Sequence, residues 1–221
     1  MFEKAEPVTI PAKSVASPWK RGEITPPPKA IGVIGKEHVS EKPKTIFIKQ
    51  KGSKWQVFED DGTTLVYSAS RKTFSSKVVI CDAGGTPICC VKKKTFEPFK
   101  GAFAFHSGDS EKNPEIIHMV VPDVIEGIVE TAGKSKNVCV EDADEPVLKM
   151  FVKSDPYTRN GVAMITPNDE VPGESTLPVL AKFERSAKSL TTSTFKVDVA
   201  ANVDIVFLVG MIIAANEQAD D

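Results

Sequence analysis

The chain has 221 residues, 41% of them hydrophobic and 26% charged, with a formal net charge of −2 and a mean hydropathy of −0.14. That balance argues against a multi-span membrane protein, and the length suits one domain with a substantial core and an extension. The first residues hold no apolar run of the kind a secretory signal needs, and Phe2 stands where myristoylation needs glycine.

The near-neutral total conceals an asymmetry. Residues 1–41 carry a net +1, residues 42–105 a net +7 and residues 106–221 a net −10. A lopsided surface attracts partners of opposite charge, although two sheet faces solvated by different charges give the same count. Four cysteines, Cys81, Cys89, Cys90 and Cys139, without a secretory signal read as reduced thiols. A cytoplasmic protein is therefore expected, with peripheral attachment to a membrane or a nuclear location left open.

In chain order, residues 1–43 hold seven prolines, among them Pro26, Pro27 and Pro28, and little hydrophobic periodicity. They read as a Pro-rich, largely disordered N-terminal segment. Its triple proline could serve an SH3- or WW-type module, and its apolar stretch at 30–34 is suited to lying on the domain surface. The folded domain is expected over 44–217, followed by an acidic tail at 218–221. Residues 45–51 alternate as a first strand. Three hairpins then share a pattern, at 54–67, 77–91 and 137–152, each with Asp and Gly or Asp between two β-prone runs. Shorter strands are expected at 101–106, 115–121, 127–132, 161–166, 177–185 and 194–199.

The last apolar run behaves differently. From Ile205 to Ala215 there are 11 uncharged residues, too many for a typical strand and enough for three helical turns. Asn202 suits an N-cap, Asp204 the positive end of the helix dipole, and Asn216 a closing position, which gives a core helix over about 203–216. Val206, Val209 and Ile213 share one side, and Phe207 with Met211 another, so no face is polar and the helix must be surrounded. Its length of roughly 16 Å falls well short of the ~30 Å of bilayer hydrocarbon. Its expected container is a sheet curled around it.

Four segments in this order resemble the LURP-one-related family, which shares the tubby C-terminal-like fold with phospholipid scramblases. They are the hairpin from Trp55 to Tyr67, the hairpin from Lys77 to Ile88, the strand and turn from Phe195 to Asp204, and the helix at 205–215. In order, the resemblance spans residues 31–217. It implies a mainly β fold, a closed twelve-stranded barrel around a buried C-terminal hydrophobic helix. It also makes phosphoinositides a ligand class worth testing, since tubby proteins bind them through basic residues on the barrel. No calcium loop of the Asp-x-Asp-x-Asp-Gly kind accompanies it.

An enzymatic reading finds little to stand on. His38, His106 and His118 are scattered, and the metal-binding, phosphate-cradling and nucleophile-elbow motifs are missing from the sequence. The run His106-Ser-Gly-Asp-Ser110 reads as a polar turn, because triads are assembled from distant segments. The pairs Asp60–Asp61 and Glu141–Asp142 read as hairpin tips. No catalytic residue, cofactor or metal is expected. Cys89 and Cys90 are adjacent in a strand, so one should face the core and the other solvent, where acylation or oxidation is conceivable.

The most suggestive cluster is basic. Arg71, Lys72, Lys77, Lys92 and Lys94 are candidates for holding an anionic lipid headgroup, with Lys92 and Lys94 on one face of their strand and Lys77 beside them across the hairpin. Charged strand ends that block edge pairing are the plain alternative. The reading is a non-enzymatic binding protein that takes a phosphoinositide or other anionic headgroup. The alternative is a scaffold that recruits proteins through its Pro-rich segment or acidic half, and nucleic acid fits poorly.

Overall fold

The computed structural model describes residues 23–72, 77–94, 101–123, 126–130, 148–154, 160–167, 178–188 and 192–219. The strands are β1 (Lys44–Lys51), β2 (Lys54–Phe58), β3 (Leu65–Arg71), β4 (Lys77–Asp82), β5 (Pro87–Lys94) and β6 (Gly101–Ser107). They continue as β7 (Glu115–Asp123), β8 (Glu126–Glu130), β9 (Leu148–Ser154), β10 (Gly161–Pro167), β11 (Val179–Lys188) and β12 (Thr192–Val199). The helix α1 (Ile205–Ala219) follows. The protein is thus mainly β, with antiparallel pairing between sequence neighbours and one C-terminal helix. β1 is hydrogen-bonded along both edges, to β2 on one side and β12 on the other.

Strand alternation sorts the side chains. Ile46 and Ile48 of β1 and Trp55 and Val57 of β2 are buried in the core, whereas Lys49, next after Ile48, and Gln56, between Trp55 and Val57, are exposed, as a period of two requires. The first two hairpins turn where sequence places them, with Gly62 (φ 68°) and Gly85 (φ 88°) supplying left-handed backbone. The tip of the hairpin at 137–152 lies outside the described residues, which include its second strand as β9.

The helix is buried all round. Residues 203–214 are all buried, including Asp204, and at roughly 1.5–3 kcal/mol for each large apolar side chain they are a major part of the core's stabilisation. Phe207 meets Phe105 of β6 edge to face, with centroids 5.4 Å apart. Three residues further on, a Cβ on Gly210 would come within 2.5 Å of the Phe105 ring. Glycine there lets the helix approach the sheet closely.

Two terminal expectations need correction. Asn202 is not the N-cap: its backbone is left-handed, with φ 65°, and its side-chain amide donates to the Pro27 carbonyl at 3.2 Å. The cap is Asp204, whose Oδ1 accepts the Phe207 N–H at 2.9 Å, the reach from N-cap to N3. Nor does Asn216 close the helix, which runs on to Ala219.

Within the segment read as largely disordered, residues 23–43 pack against the domain. Ile24 bridges to Val179, Ile31 to Val203 and Val39 to Asp204, a short 3-10 helix spans Lys36–His38, and Val33 is buried. The prolines withhold N–H donors here without preventing this extended strap from pairing: Thr25 N donates to the Val179 carbonyl, Ile31 N to that of Asn202 and Ser40 N to that of Val203. Residues 1–22 lie outside the described residues.

Candidate functional site

Two polar clusters stand out against the apolar interior. The first fastens the strap to α1. Asp204 Oδ2 accepts the N–H groups of Val33 at 3.0 Å, Ile34 at 2.7 Å and Gly35 at 3.3 Å, while Oδ1 caps the helix. Burial pushes this carboxyl above its ordinary value, against the downward pull of the backbone N–H groups and of His38. Beside it, Tyr67 Oη lies 3.4 Å from His38 Nδ1, with the rings edge to face at 5.9 Å. Burial, and then the charge of Asp204, push the Tyr67 phenol up to about 12. Both Asp204 carboxylate oxygens accept backbone N–H groups of the chain itself, so the cluster serves to hold the strap.

The second cluster contains the residues singled out by charge. Lys77 stands directly opposite Lys92 across β4 and β5. Both alternate with core residues, Val78 and Val91, so both ammonium groups belong to the outer face. Like charges directly opposed on a sheet repel unless an anion joins them. Here the β6–β7 connection supplies one anion and one neutral acceptor: Lys92 Nζ pairs with the Glu111 carboxylate, and Lys77 Nζ donates to the Asp109 carbonyl at 2.9 Å. The hydrogen bond from Lys92 holds the Glu111 carboxyl below its usual range.

The remaining candidates do not all join this pair. Arg71 lies opposite Val78, on the side of the sheet that faces α1, and is exposed only because it ends its strand. It is not on the face of Lys77 and Lys92. Lys72 follows β3, is exposed, and donates its backbone N–H to the Lys77 carbonyl at 3.1 Å. Lys94 occupies the last position of β5, in register with Ala102. The structure therefore brings Lys77 and Lys92 together, with Lys72 near the same hairpin end, and separates Arg71 from them.

Sequence reasoning missed the groups that meet these lysines. The run from His106 to Ser110 reads as a polar turn, but His106 and Ser107 close β6 and the turn begins at Gly108; its placement over β4 and β5 has no signature in local composition. The cysteines divide as alternation predicts, Cys89 in the core cluster and Cys90 outside it, yet Cys90 is also fully buried. Burial pushes the Cys90 thiol up, opposed by Lys77 and Lys92. Cys81, half-buried, is raised first by burial and then by Asp82. Among the described residues no group of three or more His, Cys, Asp or Glu side chains is placed to hold a metal ion, and no helix is long and apolar enough to cross a membrane.

Fold and site together define an antiparallel β domain with a buried C-terminal helix and a charged outer face. The chain belongs to the LURP-one-related family, whose model matches residues 44–216. Among solved structures, an X-ray structure of a protein from Arabidopsis thaliana is similar over 84% of this chain and 97% of its own, with a TM-score of 0.57 and 15% sequence identity. At that identity the likeness shows the fold alone. A comparison with curated proteins returns no match.

Proposed function

We propose that this chain is a non-enzymatic binding protein, a closed twelve-stranded tubby-like barrel whose outer face takes an anionic headgroup of the phosphoinositide class. The observation that carries this is the Lys77–Lys92 pair, two lysines held opposite each other by the register of adjacent strands. Opposed residues on a sheet hold their Cβ atoms roughly 5 Å apart, a spacing that one phosphate can bridge with charge-assisted hydrogen bonds. Lys72 and Lys94 flank the pair in sequence, and an anionic membrane surface adds about 1 kcal/mol for each basic residue near it. The family resemblance to tubby-type domains supports the same ligand class. Arg71 is left out of the site because it belongs to the other face.

The test is liposome pelleting at low salt with vesicles containing phosphatidylinositol bisphosphate. Lys92→Glu with Lys94→Glu should weaken binding by more than tenfold, since about 1 kcal/mol at each of two positions exceeds the 1.4 kcal/mol of a decade. The charge-matched control is Lys51→Glu with Lys54→Glu, another opposed lysine pair, at the β1–β2 turn. Equal losses in the two double variants, or no wild-type binding at all, would reject the headgroup reading. The scaffold alternative, with proteins recruited by the Pro-rich segment or by the acidic residues beyond 105, would then stand in its place.

A further inference from the structure

The outer face at β4, β5 and β6 is covered. Val79, Cys90 and His106 stand side by side across these strands and are 4%, 0% and 9% exposed. Of these, Val79 and Cys90 alternate with residues packed on α1 and stay outside the main core cluster. Outward positions become buried only when something lies on them, and the segment anchored over this face among the described residues is 107–114. That segment is fastened at both ends. Gly108 N donates to the Ile88 carbonyl at 2.8 Å, His106 Nδ1 lies 2.9 Å from the Asn113 carbonyl, and Asn113 Nδ2 donates to the Ser107 carbonyl at 2.6 Å. Between these fastenings, Asp109 and Glu111 reach Lys77 and Lys92.

We propose that the segment 107–114 is an internal ligand for the Lys77–Lys92 pair, an acidic loop that occupies the anion site and that a phosphomonoester-bearing headgroup displaces. The inference rests on the headgroup reading above. It adds a selectivity to it. Of what the loop brings to the pair, one group is a carboxylate, on Lys92, and one a neutral carbonyl, on Lys77, so a competitor displaces the loop by offering more charge than one carboxylate. A phosphomonoester carries about −1.5 to −2 and three acceptor oxygens, enough to bridge both ammonium groups. A headgroup with a net charge of about −1, such as phosphatidylserine, gains little over the loop it must remove. Displacement also has a visible consequence, because the Cys90 thiol beneath the loop becomes accessible.

The experiment uses the full chain and the variant Glu111→Gln, with Glu41→Gln as the control that removes the same charge from an exposed position on the strap. Binding is measured by pelleting with vesicles containing phosphatidylinositol bisphosphate and with phosphatidylserine vesicles of matched surface charge. Cys90 accessibility is measured as the rate of maleimide labelling, read by peptide mass spectrometry. Glu111→Gln should tighten binding to the bisphosphate vesicles about threefold, the weight of one exposed ion pair, and Glu41→Gln should not. Cys90 should label faster in Glu111→Gln, and faster in the wild type once the soluble inositol trisphosphate headgroup is added. If the wild type binds but the two variants behave alike, or Cys90 labelling does not change, the loop is no competitor and only the headgroup reading survives. Equal binding to both vesicle types overturns the phosphomonoester selectivity. If neither wild type nor Glu111→Gln binds at low salt, the headgroup reading falls and the loop's role falls with it.

Discussion

Replacing Asp204 tests how the helix and the strap depend on one buried carboxylate. Asp204→Ala leaves four backbone N–H groups, those of Val33, Ile34, Gly35 and Phe207, without their acceptor. The Val33 and Phe207 bonds are buried and the other two part-buried, so water can replace the acceptor for only some of them. At about 1–3 kcal/mol for each donor left buried, and allowing for the lost helix cap, the cost is roughly 3–5 kcal/mol. That is a large share of the 5–15 kcal/mol typical of a domain and should lower the melting temperature by on the order of 10 °C. Asp204→Asn keeps one acceptor oxygen but turns the other position into a donor, so either the strap or Phe207 faces an N–H with an N–H. It should fall between alanine and wild type. Urea unfolding measures the loss, and hydrogen exchange at residues 33–35 shows whether the strap has come away. Asp198 is the control: it accepts from Thr45 at 2.6 Å and Lys196 at 3.0 Å on a part-exposed surface, and its replacement by Asn should cost about 1 kcal/mol or less. If Asp204→Ala unfolds at the wild-type urea midpoint and residues 33–35 stay protected, the carboxylate does not hold the strap.

Three further outcomes are expected. Gly210→Ala should destabilise by about 1–2 kcal/mol despite the better helix propensity of alanine, because its Cβ would meet the Phe105 ring at 2.5 Å; adding Phe105→Leu should recover part of the loss in a double-mutant cycle of urea midpoints. Trp55→Phe should cost about 1 kcal/mol or less, since the buried indole N–H has no hydrogen-bond partner among the described residues, whereas Trp55→Ala should cost about 3–5 kcal/mol. The Asp61 carboxyl is held down to about 2 by Thr64, through its hydroxyl and its N–H, and by the Thr63 N–H. Being depressed, it favours the folded state above its ordinary value of 3.8 and loses that contribution as pH falls through about 2. A carbon-detected NMR titration should place its midpoint there and shift it upward in Thr64→Val; an ordinary midpoint in the wild type would contradict the turn geometry.

Much of the fold was legible because its signals are local. Alternation along β1 and β2, Asp–Gly turns and an uncharged run too long for a strand each follow from a few adjacent residues. The terminal details were not. Asn202 and Asp204 are both good capping residues, and only the left-handed backbone at Asn202 decides between them. The strap was hidden by its prolines, which lower helix and strand propensity without preventing extended backbone from pairing. Its attachment depends on a carboxylate 169 to 171 residues away, and no window on the sequence spans that distance.

The basic cluster shows why charge reads only halfway into function. Lys77 and Lys92 are predicted neighbours because a hairpin fixes its own register, and they are opposed in the structure. Arg71 is close to them in sequence and equally basic, yet an odd step along the ladder puts it opposite Val78 on the other face. Composition counts both cations alike; strand parity separates them. The compensating groups are harder still to find, since Asp109 and Glu111 belong to the half of the chain with a net charge of −10 and meet the lysines only because the β6–β7 connection folds back over β5. An asymmetry of charge along a sequence is therefore not an asymmetry on the surface, because antiparallel neighbours bring the basic and acidic segments side by side. What the fold leaves for a ligand is set by the strength of that internal pairing. At Lys92 it is one exposed ion pair, which salt screens and which a more highly charged competitor can replace.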